Sequence, residues 1–189
     1  MSCLLALPLL AACESSTSVL GSRGEIAEAV ATSGNMTKFF VETGKFELVG
    51  FHRLSGTSDT VSVYIEGDGL AFLSRNVVSL DPTPRDPISL RLAVRDPSLD
   101  VAYIARPCHY QSRPLPKSCD YAYWTNARFA PEVVQETNRA VDAIVKASGA
   151  KQVRLFGYSG GGVLAALVAQ SRSDVASLVT FSSPLDHGE

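Results

Sequence analysis

A serine lies at the centre of the glycine-rich hexapeptide GYSGGG, residues 157–162. Residues 152–156 form an apolar run rich in strand formers, and residues 163–170 are almost all good helix formers. The pattern G-x-S-x-G between a strand and a helix is typical of a sharp turn that holds a serine hydroxyl above a sheet. The sequence therefore predicts that Ser159 is a nucleophile at a strand-to-helix turn.

The glycines around the serine have a physical role in such a turn. A nucleophile held there sits in strained backbone, and neighbours without a Cβ relieve the crowding. Gly157 and Gly161 occupy those places, and we expect Gly162 to let the helix approach the sheet closely. The start of the helix supplies free N–H groups and a positive dipole end, both of which stabilise a developing oxyanion.

A glycine-rich turn between a strand and a helix can also serve only as a connection, or it can bind phosphate. Two kinds of phosphate-binding loop have known glycine patterns that can be compared with this one. A dinucleotide-binding loop requires G-x-G-x-x-G, but Ser159 occupies the position of its second glycine. A P-loop requires Gly-Lys-Ser/Thr, but Val163 follows the glycines here. The spacing favours a nucleophile over a phosphate-binding loop.

The composition is that of a globular protein able to position such a residue. The chain has 189 residues, of which 46% are hydrophobic and 19% charged. That length suffices for one domain with a sizeable core. The net charge of −2 gives no electrostatic basis for a nucleic-acid partner.

The elements along the chain predict an α/β fold. Two antiparallel strands, 46–54 and 60–66, are expected to be joined by a turn at 55–59. From residue 60 onward strands and helices alternate, which predicts a mostly parallel central sheet with helices on both faces. The remaining predicted elements are a helix from 24 ending near 34, a loop at 76–86, a helix at 87–94 with Asp86 as N-cap, a strand at 101–105, an irregular segment at 106–126, a helix at 131–147, a helix from 160 to about 172 and a strand at 175–181.

The N-terminus has the features of an export signal. Residues 3–10 are an apolar run that is too short to span a bilayer and has the length of a signal-peptide core. The tetrad LAAC that ends at Cys13 is similar to a bacterial lipobox. We therefore expect residues 1–12 to be a lipoprotein signal peptide, residues 13–24 a lipidated cysteine with its linker, and residues 25–189 the folded domain.

That expectation implies a location and a membrane partner. Lipid on Cys13 would hold the chain at the bacterial membrane, on the periplasmic side of the envelope. The residues before the apolar run lack Lys and Arg, which departs from a usual signal peptide. A plain secretory signal or a fortuitous tetrad is the alternative interpretation.

The remaining cysteines are consistent with an oxidising compartment. If Cys3 is removed with the signal and Cys13 is lipidated, Cys108 and Cys119 remain as an even pair. A disulfide between them would contribute about 2–3 kcal/mol and would pin a proline-rich segment. In a reducing compartment both would be free thiols, and nothing nearby suggests a metal site.

Two motifs together resemble the α/β-hydrolase family, more narrowly its bacterial secreted and lipoprotein members. They are GYSGG at 157–161 and EGDG at 66–69, with ARPC at 105–108 and YWTNARF at 123–129 as supporting features. The resemblance covers about residues 46–187. It implies a serine hydrolase that cleaves an ester or a related acyl bond of a small molecule, with no cofactor.

The resemblance also implies roles for particular residues. Ser159 would form the acyl-enzyme, and the backbone N–H of Gly160 would be one oxyanion donor. The second donor would come from the loop after the earlier strand, at Asp68 or Gly69. The aromatic segment 108–129 is a candidate cap over the site.

The base and the acid of the family's triad are harder to place. Family members carry Asp or Glu and then His after the nucleophile, so Asp186 and His187 are the available candidates. Adjacent side chains in an extended chain point apart, which disfavours their serving the same serine. His52 is expected to be exposed in an early strand. His109 is expected to be a solvated loop residue, and the alternative is that it lies over the site.

The simplest interpretation is that these residues are the N-terminal part of a longer hydrolase. Its true base would then lie further on, and its acid either further on or at Asp186. The strand at 175–181 would then be an exposed sheet edge. Three alternatives stay open: an inactive fragment, a non-catalytic envelope lipoprotein that keeps the fold, and a nucleotide-binding α/β protein, which the glycine spacing disfavours.

Overall fold

The computed structural model describes residues 22–185. Cys13, Asp186 and His187, the predicted lipidation site and the candidate acid and base, lie outside the described residues. Within this part the elements are α1 (Arg23–Ser33), β1 (Thr37–Glu42), β2 (Glu47–Arg53), β3 (Thr60–Ile65), β4 (Phe72–Ser74), β5 (Val77–Val78), α2 (Ile88–Ala93), β6 (Val101–Ile104), a 3₁₀ turn (Tyr121–Trp124), α3 (Pro131–Ser148), β7 (Gln152–Tyr158), α4 (Gly160–Gln170) and β8 (Val175–Phe181).

The main sheet has six strands in the order β1-β2-β6-β3-β7-β8. Strands β6, β3, β7 and β8 are parallel, while β2 is antiparallel to β6 and β1 is antiparallel to β2. This architecture confirms the predicted α/β class with its mostly parallel sheet. The alternating strand and helix order produces it because each crossover carries the chain back to the same end of the sheet.

The core has two layers, one on each face of the sheet. Val63 of β3 packs with α3 and α4 on one face, whereas its neighbour Tyr64 packs with α1 and α2 on the other. Successive strand residues point to opposite faces, so a central strand that is buried on both sides is mostly apolar. The predicted placement of helices on both faces is therefore confirmed.

The predicted hairpin between strands 46–54 and 60–66 is wrong. Strand β6 lies between β2 and β3 and pairs with both. The connecting segment is held by the carboxylate of Asp100, which accepts hydrogen bonds from the backbone N–H groups of Ser55, Gly56 and Ser58. The hairpin partner of β2 is β1, a strand that the sequence analysis did not predict.

Smaller boundaries also differ from prediction. The side chain of Asp86 does not cap α2, because it is engaged in an ion pair with Arg91 instead. The predicted loop at 76–86 contains β5, which forms a small hairpin with β4. Helix α3 begins at Pro131 as expected, and Gly149 ends it in the left-handed conformation with φ of 70°.

The irregular segment between β6 and α3 is fixed by covalent and packing contacts. Cys108 and Cys119 form a disulfide, as predicted. Trp124 is buried, and its indole N–H donates to the Ser79 carbonyl oxygen at 3.1 Å. None of the helices between residues 22 and 185 combines the length and the apolar character needed to cross a membrane.

Candidate active site

Ser159 occupies a turn of one residue between β7 and α4. Its backbone has φ of 51° and ψ of −126°, a conformation that costs a residue with a Cβ about 1–3 kcal/mol. The Ser159 N–H donates to the Phe181 carbonyl oxygen of β8 at 2.8 Å, and its carbonyl accepts from Gly162 at 3.0 Å. The structure therefore confirms the sharp strand-to-helix turn.

The glycines around Ser159 are required by close backbone approach. A Cβ on Gly157 would overlap the backbone of Gly161 and Gly162 at the start of α4. A Cβ on Gly161 would overlap the carbonyl oxygens of Ile65 and Glu66 at the end of β3. These contacts let the turn fold tightly against the neighbouring strand, as the sequence predicts.

Ser159 borders a cavity of about 300 Å³. The loop after β3 (residues 66–70), the start of α2 and the segment 84–86 form its other walls. Within the described residues the Ser159 hydroxyl makes no hydrogen bond. Ser159 is half-buried and lines this cavity, so a small substrate in the cavity can reach it.

The loop after β3 lies directly against the serine turn. A Cβ on Gly67 would lie 3.4 Å from Ser159 Cβ, and the Asp68 carboxylate contacts Gly160 at the first position of α4. No residue of the described part accepts a hydrogen bond from the backbone N–H of Asp68, Gly69 or Gly160. The structure thus brings together all residues predicted to form the oxyanion hole, and their donor role stays a prediction.

Two arginines hold this loop, and the sequence analysis did not identify their role. Arg106 is buried, and its Nη1 lies 2.8 Å from Asp68 Oδ1. Its Nη2 donates to the carbonyl oxygen of Arg128, whose own Nε lies 3.5 Å from Asp68 Oδ2. Burial lowers the pKa of Arg106, and the opposite charge of Asp68 counteracts that effect. The contact joins positions 68 and 106, and no local sequence pattern indicates it.

His109 is buried, so its prediction as a solvated loop histidine is wrong. A Cβ on Gly69 would lie 3.0 Å from its imidazole Nε2, which places the ring against the loop that follows β3. Burial, together with the charge of Arg106, lowers the pKa of His109 to about 3. The ring is therefore neutral near pH 7 and packs as a structural support for Gly69.

His52 cannot act on Ser159 either. It lies on β2, which is separated from β7 by the two strands β6 and β3, and it is only partly exposed, with its pKa lowered by burial. Among residues 22–185 no histidine forms a hydrogen bond with Ser159. Of the three histidines in the sequence, His187 is the one outside this part of the chain.

Glu66 adds a buried carboxyl group to the cavity wall. Its Oε1 accepts from the backbone N–H of Gly67 at 2.9 Å and of Ser89 at 3.4 Å. Burial raises the pKa of Glu66.

Residues 22–185 contain no cluster of three or more His, Cys, Asp or Glu side chains that could hold a metal ion.

Solved structures share this architecture. A candidate lipase from Acinetobacter baumannii AYE superposes with a TM-score of 0.54 and 17% identity, over 89% of this chain and 48% of that one. A membrane phospholipase A, described as a bacterial virulence factor, superposes with a TM-score of 0.51 and 17% identity, over 85% of this chain and 44% of that one. A candidate α/β-hydrolase of unknown function from Agrobacterium tumefaciens superposes with a TM-score of 0.56 and 12% identity, over 78% of this chain and 61% of that one.

These likenesses establish the fold. The chain has the α/β-hydrolase fold, as the resemblance in its sequence implied. It spans about half the length of the first two of these structures. No known protein-family profile matches the sequence. No curated protein matches it either.

Proposed function

We propose that this chain belongs to a serine hydrolase that cleaves an ester, or a related acyl bond, through an acyl-enzyme on Ser159. The observation that carries the proposal is the strained backbone of Ser159, with φ of 51°, at the edge of a cavity. A non-glycine residue held in such a conformation between a strand and a helix exposes its hydroxyl, as nucleophilic attack requires.

The surrounding groups support the chemistry that acyl transfer requires. When Ser159 Oγ attacks the carbonyl carbon, its proton passes to a base and the carbonyl oxygen becomes an oxyanion. The N–H of Gly160 and that of Asp68 or Gly69 are the proposed donors to this oxyanion. One such donor lowers the barrier by about 3–4 kcal/mol, because it is oriented before the charge develops. As the intermediate collapses, the base donates that proton to the leaving oxygen, the C–O bond breaks and the neutral alcohol departs. Water then attacks the acyl-enzyme, which releases the carboxylic acid and restores Ser159.

The substrate class is proposed from the neighbouring structures. Two of them are described as a candidate lipase and a membrane phospholipase A, which supports a small-molecule ester. Within this chain His187 is the available base and Asp186 the available acid, although the two are adjacent.

The cellular location is part of the proposal. Residues 1–12 would direct export, and lipid on Cys13 would anchor the chain at the periplasmic side of the bacterial envelope. The disulfide between Cys108 and Cys119 supports an oxidising compartment. Incorporation of radiolabelled palmitate in bacteria, lost in Cys13→Ser and kept in Cys3→Ser, tests the anchor. Incorporation that survives Cys13→Ser would exclude that site.

A non-catalytic envelope protein is the second candidate. The observation that favours it is the lack of a histidine hydrogen-bonded to Ser159 within residues 22–185. Such a protein would keep the serine turn and the cavity for binding, without a base to activate the hydroxyl.

Labelling with a fluorophosphonate, measured by intact mass, separates the two candidates. Such probes react with a serine that a base has activated, so hydrolase chemistry predicts one adduct on the folded chain. The adduct should disappear in Ser159→Ala and persist in Ser171→Ala, a serine at the far end of α4. Loss in His187→Ala would identify the base. A folded chain that takes no label supports the non-catalytic protein.

A further inference from the structure

We propose that the chain docks on an anionic lipid bilayer through an apolar rim formed by the β4–β5 hairpin and the neighbouring 3₁₀ turn. The apolar rim consists of Phe72, Leu73, Val77, Leu80 and Tyr121. Each of these side chains is between 46% and 62% exposed. A single exposed apolar residue is ordinary, but a cluster on one surface marks an interaction site.

The members of the apolar rim belong to one continuous surface. Tyr121 packs edge-on against Trp124, with ring centroids 5.3 Å apart, and Trp124 is hydrogen-bonded to the carbonyl of Ser79, just beyond β5. Leu80 and Tyr121 also line one shallow cavity together with Leu115. The hairpin and the 3₁₀ turn are therefore joined by packing.

The shape of the hairpin favours a lipid surface over a protein. All three residues of β4 are exposed, although successive residues such as Phe72 and Leu73 point to opposite faces of a strand. A flat protein partner would cover one face and leave the other in water. Immersion in the headgroup and acyl boundary covers both faces at once, and it suits a ring such as that of Tyr121, which has a polar tip.

Basic side chains lie in the two segments that carry or adjoin the apolar rim. Arg75 lies in the hairpin turn and is exposed, and Arg113 and Lys117 lie in the loop closed by the disulfide. The nearby carboxylate of Asp81 is shared between Arg23 and Arg113, each at 3.5 Å. A second carboxylate, that of Asp120, lines the same cavity as Arg113 and Tyr121. The four basic side chains of Arg23, Arg75, Arg113 and Lys117 outnumber these two carboxylates, and each basic residue near an anionic bilayer contributes about 1 kcal/mol of attraction.

The apolar rim adjoins the Ser159 cavity. Leu70 lines that cavity, and its N–H donates to the Pro82 carbonyl at 2.8 Å, which closes the base of the hairpin. Docking through the rim would place the cavity next to the lipid. This inference does not depend on catalysis: lipid on Cys13 would tether the chain, whereas the rim decides which face meets the bilayer.

Tryptophan scanning of the full chain tests the proposal. Phe72→Trp places an indole on the apolar rim, and Phe40→Trp is the matched control, because Phe40 is 56% exposed on the edge strand β1. The parent protein, whose single tryptophan Trp124 is buried, supplies the background. Each protein is mixed with vesicles of phosphatidylcholine and phosphatidylglycerol that carry brominated acyl chains, which quench indoles in contact with them.

We expect the fluorescence emission of the indole at position 72 to shift to shorter wavelength and to be quenched by the brominated lipid. The emission of the indole at position 40 should not change. Arg75→Gln should weaken partitioning of the Phe72→Trp protein about fivefold on these vesicles, and not on phosphatidylcholine alone. Equal quenching at both positions, or no quenching at position 72, would overturn the proposal. A blue shift that grows with protein concentration without vesicles would indicate self-association instead. If Phe72→Trp changes the circular dichroism, Val77→Trp replaces it.

Discussion

The carboxylate of Asp68 is held by the buried guanidinium of Arg106, with Asp68 Oδ1 2.8 Å from Arg106 Nη1. This ion pair links the end of β6 to the loop that follows β3, and that loop lies against the Ser159 turn. The arrangement places a tertiary electrostatic contact behind the backbone groups proposed as oxyanion donors. We therefore expect the position of those proposed donors to depend on Arg106, a residue outside both motifs.

Replacing Arg106 tests this dependence. Arg106→Met leaves Asp68 without its main partner, and we expect the free energy of unfolding to fall by about 3 kcal/mol. Removing one partner of a buried ion pair costs about 3–5 kcal/mol. We expect the lower value here because the Asp68 side chain is 27% exposed and keeps Arg128 as a partner at 3.5 Å. Urea denaturation measures the change. Arg91→Met, which breaks the exposed pair with Asp86, should cost less than about 1 kcal/mol. Equal losses in the two variants would contradict a special role for Arg106.

Gly161 offers a test of close packing at the turn. In Gly161→Ala the new methyl group would overlap the carbonyl oxygens at the end of β3, and backbone cannot move aside as a side chain can. We expect a loss of about 3 kcal/mol or more in thermal or urea unfolding. Gly24→Ala is the control, because Gly24 lies in helix α1 and its new Cβ would be 3.8 Å from Ser22 Oγ, an ordinary contact distance. In a helix, alanine is more stable than glycine by up to about 1 kcal/mol. A fully stable Gly161→Ala protein would refute the close contact.

Local patterns predicted the parts of the fold that local chemistry determines. The Ser159 turn follows from glycines and a strand-to-helix change within a dozen residues, and α3 from its apolar face between Pro131 and Gly149. The wrongly predicted pairing of β2 with β3 has a different origin. The two strands are separated because β6 lies between them. The segment at 55–58 that follows β2 is held by Asp100, which is more than 40 residues away in the chain.

The same distinction applies to the candidate site. Ser159, Gly160, Asp68 and Gly69 were found because two short motifs carry them. Arg106 reaches Asp68 across 38 positions of the chain, and no local pattern reports such a contact. His109 looked like a loop residue because its neighbours are irregular, yet an irregular segment pinned by a disulfide can still bury a ring.

The backbone strain at Ser159 predicts a gain in stability when the side chain is removed completely. Ser159→Gly relieves a conformation costing about 1–3 kcal/mol and loses about 0.5–1 kcal/mol through the flexibility of glycine in the unfolded chain. We expect it to be about 1 kcal/mol more stable than Ser159→Ala, which keeps the Cβ and the strain. Differential scanning calorimetry of both variants gives the comparison. A Ser159→Ala protein as stable as Ser159→Gly would mean that the φ of 51° stores no strain.

The buried imidazole of His109 predicts how stability depends on pH. Its pKa of about 3 lies below the ordinary 6.5, because burial and the charge of Arg106 oppose protonation. The unfolded chain therefore takes up this proton first, so the stability that neutral His109 provides is complete above pH 6.5 and is lost as the pH falls toward 3. The loss is about 1.4 kcal/mol per pH unit, or about 2 kcal/mol between pH 6.5 and about pH 5. Urea unfolding at both pH values should show this slope in the parent and a smaller slope in His109→Gln. His52→Gln should reduce the slope less, because His52 is only partly buried although burial lowers its pKa too. Parallel curves for the parent and His109→Gln would show that the ring is protonated, or solvated, in the folded protein.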